Sequence, residues 1–272
     1  MTIEWFPGHM ATARREILKT MQKTDVVIEV LDARVPLSSC SPLVQELRRE
    51  QQRLALKVLN KVDIADPKHT EQWLAHYNAQ PDTKAIALSA SKAHDVARIP
   101  KACLALAPGR GSKLKPLRMM ILGIPNVGKS TLMNSLLKRK VAKVGDEPAI
   151  TKMQARFDLA PGMWIVDTPG KLWPRLDQGV ALKLAATHSI GRNAYDDETV
   201  ALELARVLLR DYPQLLRERF GPLATTGDAH ALLAHIATAR ALVVDEVAKA
   251  ALVLLNDFRS GKLGRITLEA VE

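Results

Sequence analysis

The chain has 272 residues, 47% of them apolar and 25% charged, enough for one large soluble domain or two ordinary ones. Its two cysteines, Cys40 and Cys103, form neither a disulfide framework nor a metal-ligand pattern, so a reducing, cytosolic compartment is expected. No run of about 18 apolar residues suggests a membrane span, and MTIEWFPGHM, with an early glutamate and no apolar core, is not expected to be a signal peptide.

The net charge of +10 is uneven. Residues 190–272 hold 10 basic and 12 acidic side chains, which leaves 29 basic and 17 acidic ones in residues 1–189. Segment 96–118 has Arg98, Lys101, Arg110, Lys113, Lys115 and Arg118 without an acid, and Lys138, Arg139, Lys140 and Lys143 follow. A polyanionic partner and a solvated basic surface are both compatible with that field.

In chain order, residues 8–23 read as a basic amphipathic helix. DVVIEVL (25–31), RLALKVL (53–59) and TKAIALS (83–89) read as strands, separated by helices over 42–50 and 67–77. A helix over 95–106 precedes the strand PLRMMILG (116–123), which feeds a helix from Lys129 to about Leu137. MQARFDL (153–159) and MWIVDT (163–168) form a hairpin around Pro161 and Gly162. This alternation predicts a doubly wound α/β sheet over residues 1–176. Beyond it, ALKLAATH, TVALELARVLLRDYPQLLRERF, AHALLAHIATAR and DEVAKAALVLLNDFRS have helical apolar spacing, so residues 177–272 are expected to form a small all-α domain.

Gly123–Ser130, GIPNVGKS, fits the phosphate-loop pattern G-x-x-x-x-G-K-[ST] after a strand and at the start of a helix. The N–H groups from Asn126 through Val127 and Gly128 to Lys129 can wrap phosphates. Lys129 can bridge the β- and γ-phosphates, Ser130 can offer its hydroxyl to Mg²⁺, and Thr131 lies near the α-phosphate at the helix N-terminus. At 167–170, DTPG ends a strand, so Asp167 is expected to hold Mg²⁺ and the Gly170 N–H to sense the γ-phosphate.

A second set of residues lies upstream. Asn60, Lys61, Val62 and Asp63 (NKVD) end an apolar strand, and Ser89 and Ala90 end the next one. A carboxylate at Asp63 can accept the N1–H and N2–H₂ donors of guanine. Adenine presents an acceptor at N1 and leaves the carboxylate unpaired. Lys61 can lie over the base, Asn60 can tie its loop to the phosphate loop, and the Ala90 N–H can donate to guanine O6. NKVD therefore precedes the phosphate loop, opposite to the Ras-like order. The order becomes the usual one if the chain is cut between its third and fourth elements and the old ends are joined through 96–116. All the strand ends still converge on one crevice, where open α/β sheets bind ligands. The predicted class is a P-loop GTPase domain with circularly permuted motif order, plus a small C-terminal helical domain. Asp63 argues against an ATPase.

WFPGHM (5–10), DARVPLSS (32–39), NKVD, LSA, GIPNVGKSTLMN (123–134), ITK (150–152) and DTPGKLWP (167–174) together resemble the circularly permuted YlqF-type GTPases over residues 5–174. The resemblance implies GTP hydrolysis coupled to late assembly of the large (50S) ribosomal subunit, with rRNA and ribosomal proteins as partners. It also implies use of residues 177–272 on ribosomal RNA; because this tail is slightly acidic, shape-led contacts from Arg192, Arg206, Arg210 and Arg217 and a protein-contacting or stabilising lid are both open readings. Thr151, in the loop between the phosphate-loop helix and the next strand, is the candidate switch threonine for Mg²⁺. Related GTPases use an asparagine at the place of Asn126 to help bind K⁺.

Ras-like enzymes carry a water-orienting glutamine after D-x-x-G. Here Lys171 stands there, where the family usually has an apolar residue, and Leu172 follows. His9 is the candidate to position the water, since Pro7 and Gly8 suggest a bent, exposed loop. Arg34 is assigned no role, a strand-end ion pair being as good a reading as a nucleotide or RNA contact. The rival functional reading is a GTP-gated RNA-binding scaffold in which hydrolysis is incidental. A tRNA-modifying or iron-transporting G-protein is disfavoured by the lack of a membrane span, a cysteine cluster or a second catalytic domain.

Overall fold

The computed structural model describes residues 7–139, 155–168, 176–239 and 247–271. Six strands, β1 (Val26–Asp32), β2 (Leu54–Asn60), β3 (Thr83–Ala87), β4 (Leu117–Leu122), β5 (Ala155–Ala160) and β6 (Met163–Asp167), form one sheet in the order β3-β2-β1-β4-β6-β5. All neighbours are parallel except the β5–β6 hairpin. β1 is buried along its whole length and β2 along nearly all of it, the pattern of central parallel strands covered on both faces. β5 instead alternates half-buried and exposed residues, as an edge strand does. Gly162 turns the hairpin at φ +79°, and a Cβ there would sit 2.5 Å from the Gly111 carbonyl oxygen.

Helices α1 (Pro7–Met21), α2 (Pro42–Glu50), α3 (Pro67–Asn78), α4 (Ala93–Val96), α5 (Arg98–Leu106) and α6 (Lys129–Leu137) connect or cover these strands. α2 and α3 each begin with proline at the first helical position, behind the N-caps Ser41 and Asp66, whose side chains accept backbone N–H groups. The expected elements all form, with bounds shifted by a few residues. The helix expected over 95–106 is two pieces, α4 and α5. The helix α1 starts at Pro7, so the backbone of His9 lies in its first turn and not in the bent loop expected there. Proline's fixed φ and missing N–H suit that helical start.

The chain then builds α7 (Gln178–Ala186), α8 (Asp197–Asp211), α9 (Pro213–Phe220), α10 (Ala229–Ala239) and α11 (Val247–Arg259). The run 199–220 reads as one helix by spacing but is split at Pro213, which has no N–H to continue α8. α8 packs against α7, α10 and α11. One apolar core runs continuously from the sheet (Ile28, Leu56, Met119, Ile121) into this bundle (Leu204, Leu233, Leu254). Among the described residues, no helix is long and apolar enough to cross a membrane.

The segment after α11 is not helical. Residues 261–269 run back over the α/β sheet side. The Ile266 N–H donates to the Ile64 carbonyl (3.1 Å), and the Leu268 N–H to that of Arg34 (2.7 Å). The Glu269 carboxylate accepts the N–H groups of Leu37 (2.7 Å) and Ser38 and the Ser38 hydroxyl, and Trp73 Nε1 donates to the Glu269 carbonyl (3.0 Å).

Candidate nucleotide site

Chain order sends β1, β2 and β3 outward in one direction and β4 and β6 in the other, so β1 and β4 flank the point where the order reverses. The carboxyl ends there carry Asp32 (β1), Asn60 (β2), the loop after β4 and Asp167 (β6). This is the crevice in which open α/β sheets hold ligands.

Asn60 is the joint of the site. It is buried, its Nδ2 donates to the Val127 carbonyl of the phosphate loop (2.7 Å), and its Oδ1 accepts the Ala90 N–H (2.8 Å). One amide thus draws NKVD, the Ser89-Ala90 turn and GIPNVGKS together. The Ala90 N–H, expected to meet guanine O6, here donates to Asn60 Oδ1. Ser89 is buried beside it, with its hydroxyl 2.8 Å from that of Ser91.

The fit is tight enough to require glycine. Gly128 has φ +95°, and a Cβ on it would lie 2.2 Å from Asn60 Nδ2. Asn126 also adopts a left-handed conformation, φ +60°. It is followed by Val127, buried, and by the N-terminus of α6, where Lys129, Ser130 and Thr131 contribute N–H groups without intrahelical acceptors. Such an end attracts anions.

Lys61 departs from helical or extended backbone at φ +66° and reaches across the crevice. Its Nζ donates to the Asn126 carbonyl (2.7 Å) and pairs with Asp32 Oδ2 (2.9 Å). Asp32 is fully buried and is gripped from its other side by Arg34, through Nε (2.9 Å) and Nη2 (2.7 Å). Burial alone would raise the Asp32 pKa, but the charges of Arg34 and Lys61 outweigh it and hold the carboxyl well below the usual range. Burial pushes the Lys61 ammonium down, with Asp32 pulling against it. Sequence reasoning left Asp32 and Arg34 without a role. The buried ion pair is the correct alternative for Arg34, whose guanidinium also lies 5.1 Å from the centroid of the Phe258 ring in α11. Val62 is half-buried, and Asp63, three residues after Asn60, is exposed.

Lys129 and Asp167 are both buried and paired, Nζ to Oδ1 2.5 Å. The phosphate-loop lysine is thereby aimed at the carboxylate expected to serve the metal, and Ser130 follows it on α6. The Thr168 hydroxyl donates to the Ile121 carbonyl (2.7 Å), fixing the end of β6 against β4. Among the described residues no three His, Cys, Asp or Glu side chains cluster as a metal cage. Asn126 Nδ2 donates to the His188 carbonyl beyond α7 (2.7 Å) and so links the phosphate loop to the helical bundle. Thr151 and Gly170 lie outside the described residues, as do Lys171, Leu172 and the side chain of His9.

A family model described as 50S ribosome-binding GTPase matches residues 118–218. A ribosome biogenesis GTPase A from Bacillus cereus is 38% identical over 284 residues, covering 100% of this chain and 95% of the relative. The chain belongs to the ribosome biogenesis GTPase A family. Like that family it is a GTPase with a P-loop α/β domain. A mitochondrial ribosome-associated GTPase 1 from Bos taurus is 31% identical, covering 97% of this chain and 88% of the relative. The solved structure of GNP-bound YlqF from T. maritima superposes with a TM-score of 0.66 at 25% identity, over 95% of this chain and 98% of that one. The GDP-bound form superposes at 0.67 and 23% identity and supports the shared fold alone. The permuted motif order read from the sequence is therefore the order of a known ribosome biogenesis GTPase A architecture.

Proposed function

We propose that this GTPase acts in late maturation of the large (50S) ribosomal subunit, docking with GTP bound and leaving after hydrolysis. The observation that carries the nucleotide half of this reading is the Asn60 amide, bonded at once to Val127 and Ala90, which gathers the displaced segments at one crevice. The names of the relatives support the ribosomal half.

In this reading Asp63 selects guanine, the stem of Lys61 lies along the base, and the N–H groups of residues 126–131 take the phosphates. Lys129 leaves Asp167 for the β- and γ-phosphates when nucleotide enters. Ser130, Thr151 and Asp167 would hold Mg²⁺, whose charge would neutralise the phosphate oxygens. Gly170 would sense the γ-phosphate, Asn126 would help hold K⁺, and His9 would orient the attacking water. Residues 1–176 form the GTPase domain and residues 177–272 the ribosome-contacting helical domain, in a cytoplasmic protein. Arg206, Arg210 and Arg217 are exposed on that domain. Arg206 and Arg210 already pair with Glu203 and Asp211, so they contact RNA by sharing or exchanging these partners.

Three measurements test this. Multiple-turnover GTP hydrolysis should be slow alone and accelerated by large subunits; no acceleration would favour the incidental-hydrolysis scaffold. Gradient fractionation with a non-hydrolysable GTP analogue should retain the protein on large-subunit particles, and its absence from them would remove the ribosomal role. His9→Ala should lower turnover without weakening GTP affinity, and unchanged turnover with and without large subunits would dismiss His9.

A further inference from the structure

The loop that carries Asp63 has few anchors of its own after β2, yet three of its carbonyls are taken by the segment that follows α11. Arg265 Nη2 donates to the Val62 carbonyl (2.8 Å) and Arg265 Nε to the Ala65 carbonyl (2.9 Å), one bond on each side of Asp63. Between them the Ile266 N–H donates to the Ile64 carbonyl (3.1 Å). Thr267 Oγ1 accepts the Asp66 N–H and donates to the Ala33 carbonyl, both at 3.1 Å. Tyr212, the residue that caps α8, closes the arrangement: its hydroxyl accepts the Thr267 N–H (3.1 Å) and has Asp66 Oδ2 (3.2 Å) and the Thr267 carbonyl (3.0 Å) within reach of its one proton. Gly261 sits so close that a Cβ on it would be 2.4 Å from Ile64 Cγ2. A guanidinium spanning two carbonyls three residues apart fixes the plane of the loop between them, and with it the direction in which the Asp63 carboxylate points.

We propose that Arg265, in the segment returning from the helical bundle, is a specificity-positioning residue for the nucleotide base, setting the aim of Asp63 without touching the ligand. This rests on the reading of Asp63 as the guanine acceptor. A carboxylate held in one pose takes both the N1–H and N2–H₂ donors of guanine. A carboxylate that wanders gains less from the second donor, which hypoxanthine lacks.

The test compares dissociation constants of fluorescent GDP, IDP and ADP for the full chain and its variants. Arg265→Ala should weaken GDP about tenfold and IDP only about twofold, so the GDP-to-IDP ratio falls about fivefold, while ADP, held by its phosphates, is unmoved. Arg265→Lys, which keeps one donor nitrogen in place of two, should recover part of the ratio. Equal weakening of GDP and IDP, or an unchanged GDP affinity, would overturn the proposal. If Arg265→Ala fails to fold by circular dichroism, Tyr212→Phe is the deciding variant. It removes one hydroxyl and should lower the ratio about twofold, and a preserved ratio would overturn the proposal equally. Asp63→Asn separates the two readings. If it does not shift preference from guanosine to xanthosine diphosphate, the base-site reading fails. If it does, and Arg265→Ala keeps the ratio, only the role of Arg265 fails.

Discussion

The buried carboxylate of Asp32 shows how one side chain can organise a site it need not enter. It holds Arg34 and Lys61 on opposite sides, and Lys61 in turn holds the phosphate loop through the Asn126 carbonyl. Asp32→Ala would leave the buried Arg34 and the half-buried Lys61 without their partner, at a cost of about 3–5 kcal/mol. Urea denaturation should register that loss, together with weaker GTP binding. The folded carboxyl is depressed below its unfolded value, so its contribution is fully present above about pH 4 and is lost as pH falls through the folded value. Stability of the wild type should fall more steeply below pH 4 than that of Asp32→Asn; parallel curves would contradict the assignment. Gly128→Ala forces a left-handed alanine whose Cβ meets Asn60, and should reduce nucleotide affinity by at least about tenfold in equilibrium binding. Motif residues were legible because their chemistry follows from local spacing. The contact of the Ala90 N–H with Asn60 Oδ1 was not, since it is made with a strand end thirty residues upstream that local spacing does not reveal. Asp32 was missed for the same reason: a strand-end aspartate shows its importance only once Lys61 is beside it.

At the scale of elements, the buried runs of β1, β2 and β4 read plainly as central parallel strands, and the half-buried alternation of β5 fits its place at the edge. The split between α8 and α9 was hidden, because apolar spacing continues through Pro213 while the hydrogen-bond ladder does not. The return of residues 261–269 was also hidden. It has no periodicity, and its anchoring consists of single polar groups against loop carbonyls. α11 contributes Phe258, which is buried beneath Arg34 and belongs to the bundle core. Phe258→Ala should cost about 3–5 kcal/mol in chemical denaturation, through the cavity and the loss of the stacked guanidinium.

For the whole molecule, the basic excess of the first 189 residues is partly spent internally. Arg110 and Arg118 both pair with Asp25, at 3.1 and 2.7 Å, while Lys101, Lys113, Lys115, Lys138 and Arg139 stay exposed. Particle binding should therefore weaken with added salt, and replacing Lys113 and Lys115 by glutamine should flatten the slope of log affinity against log salt by about one to two units. A fragment ending at residue 176 would expose the loops that Glu269, Thr267 and Arg265 now cover. It should unfold at lower urea than the full chain, with a broadened transition, and an equally stable fragment would refute that dependence. The return of residues 261–269 also has a temporal meaning. As the polypeptide emerges from a translating ribosome, the segment proposed to read the base appears first and the phosphate loop well after it, while the residues proposed to brace the former are synthesised later than both. On that proposal a nascent copy should reach its full preference for guanine only once synthesis has passed Glu269.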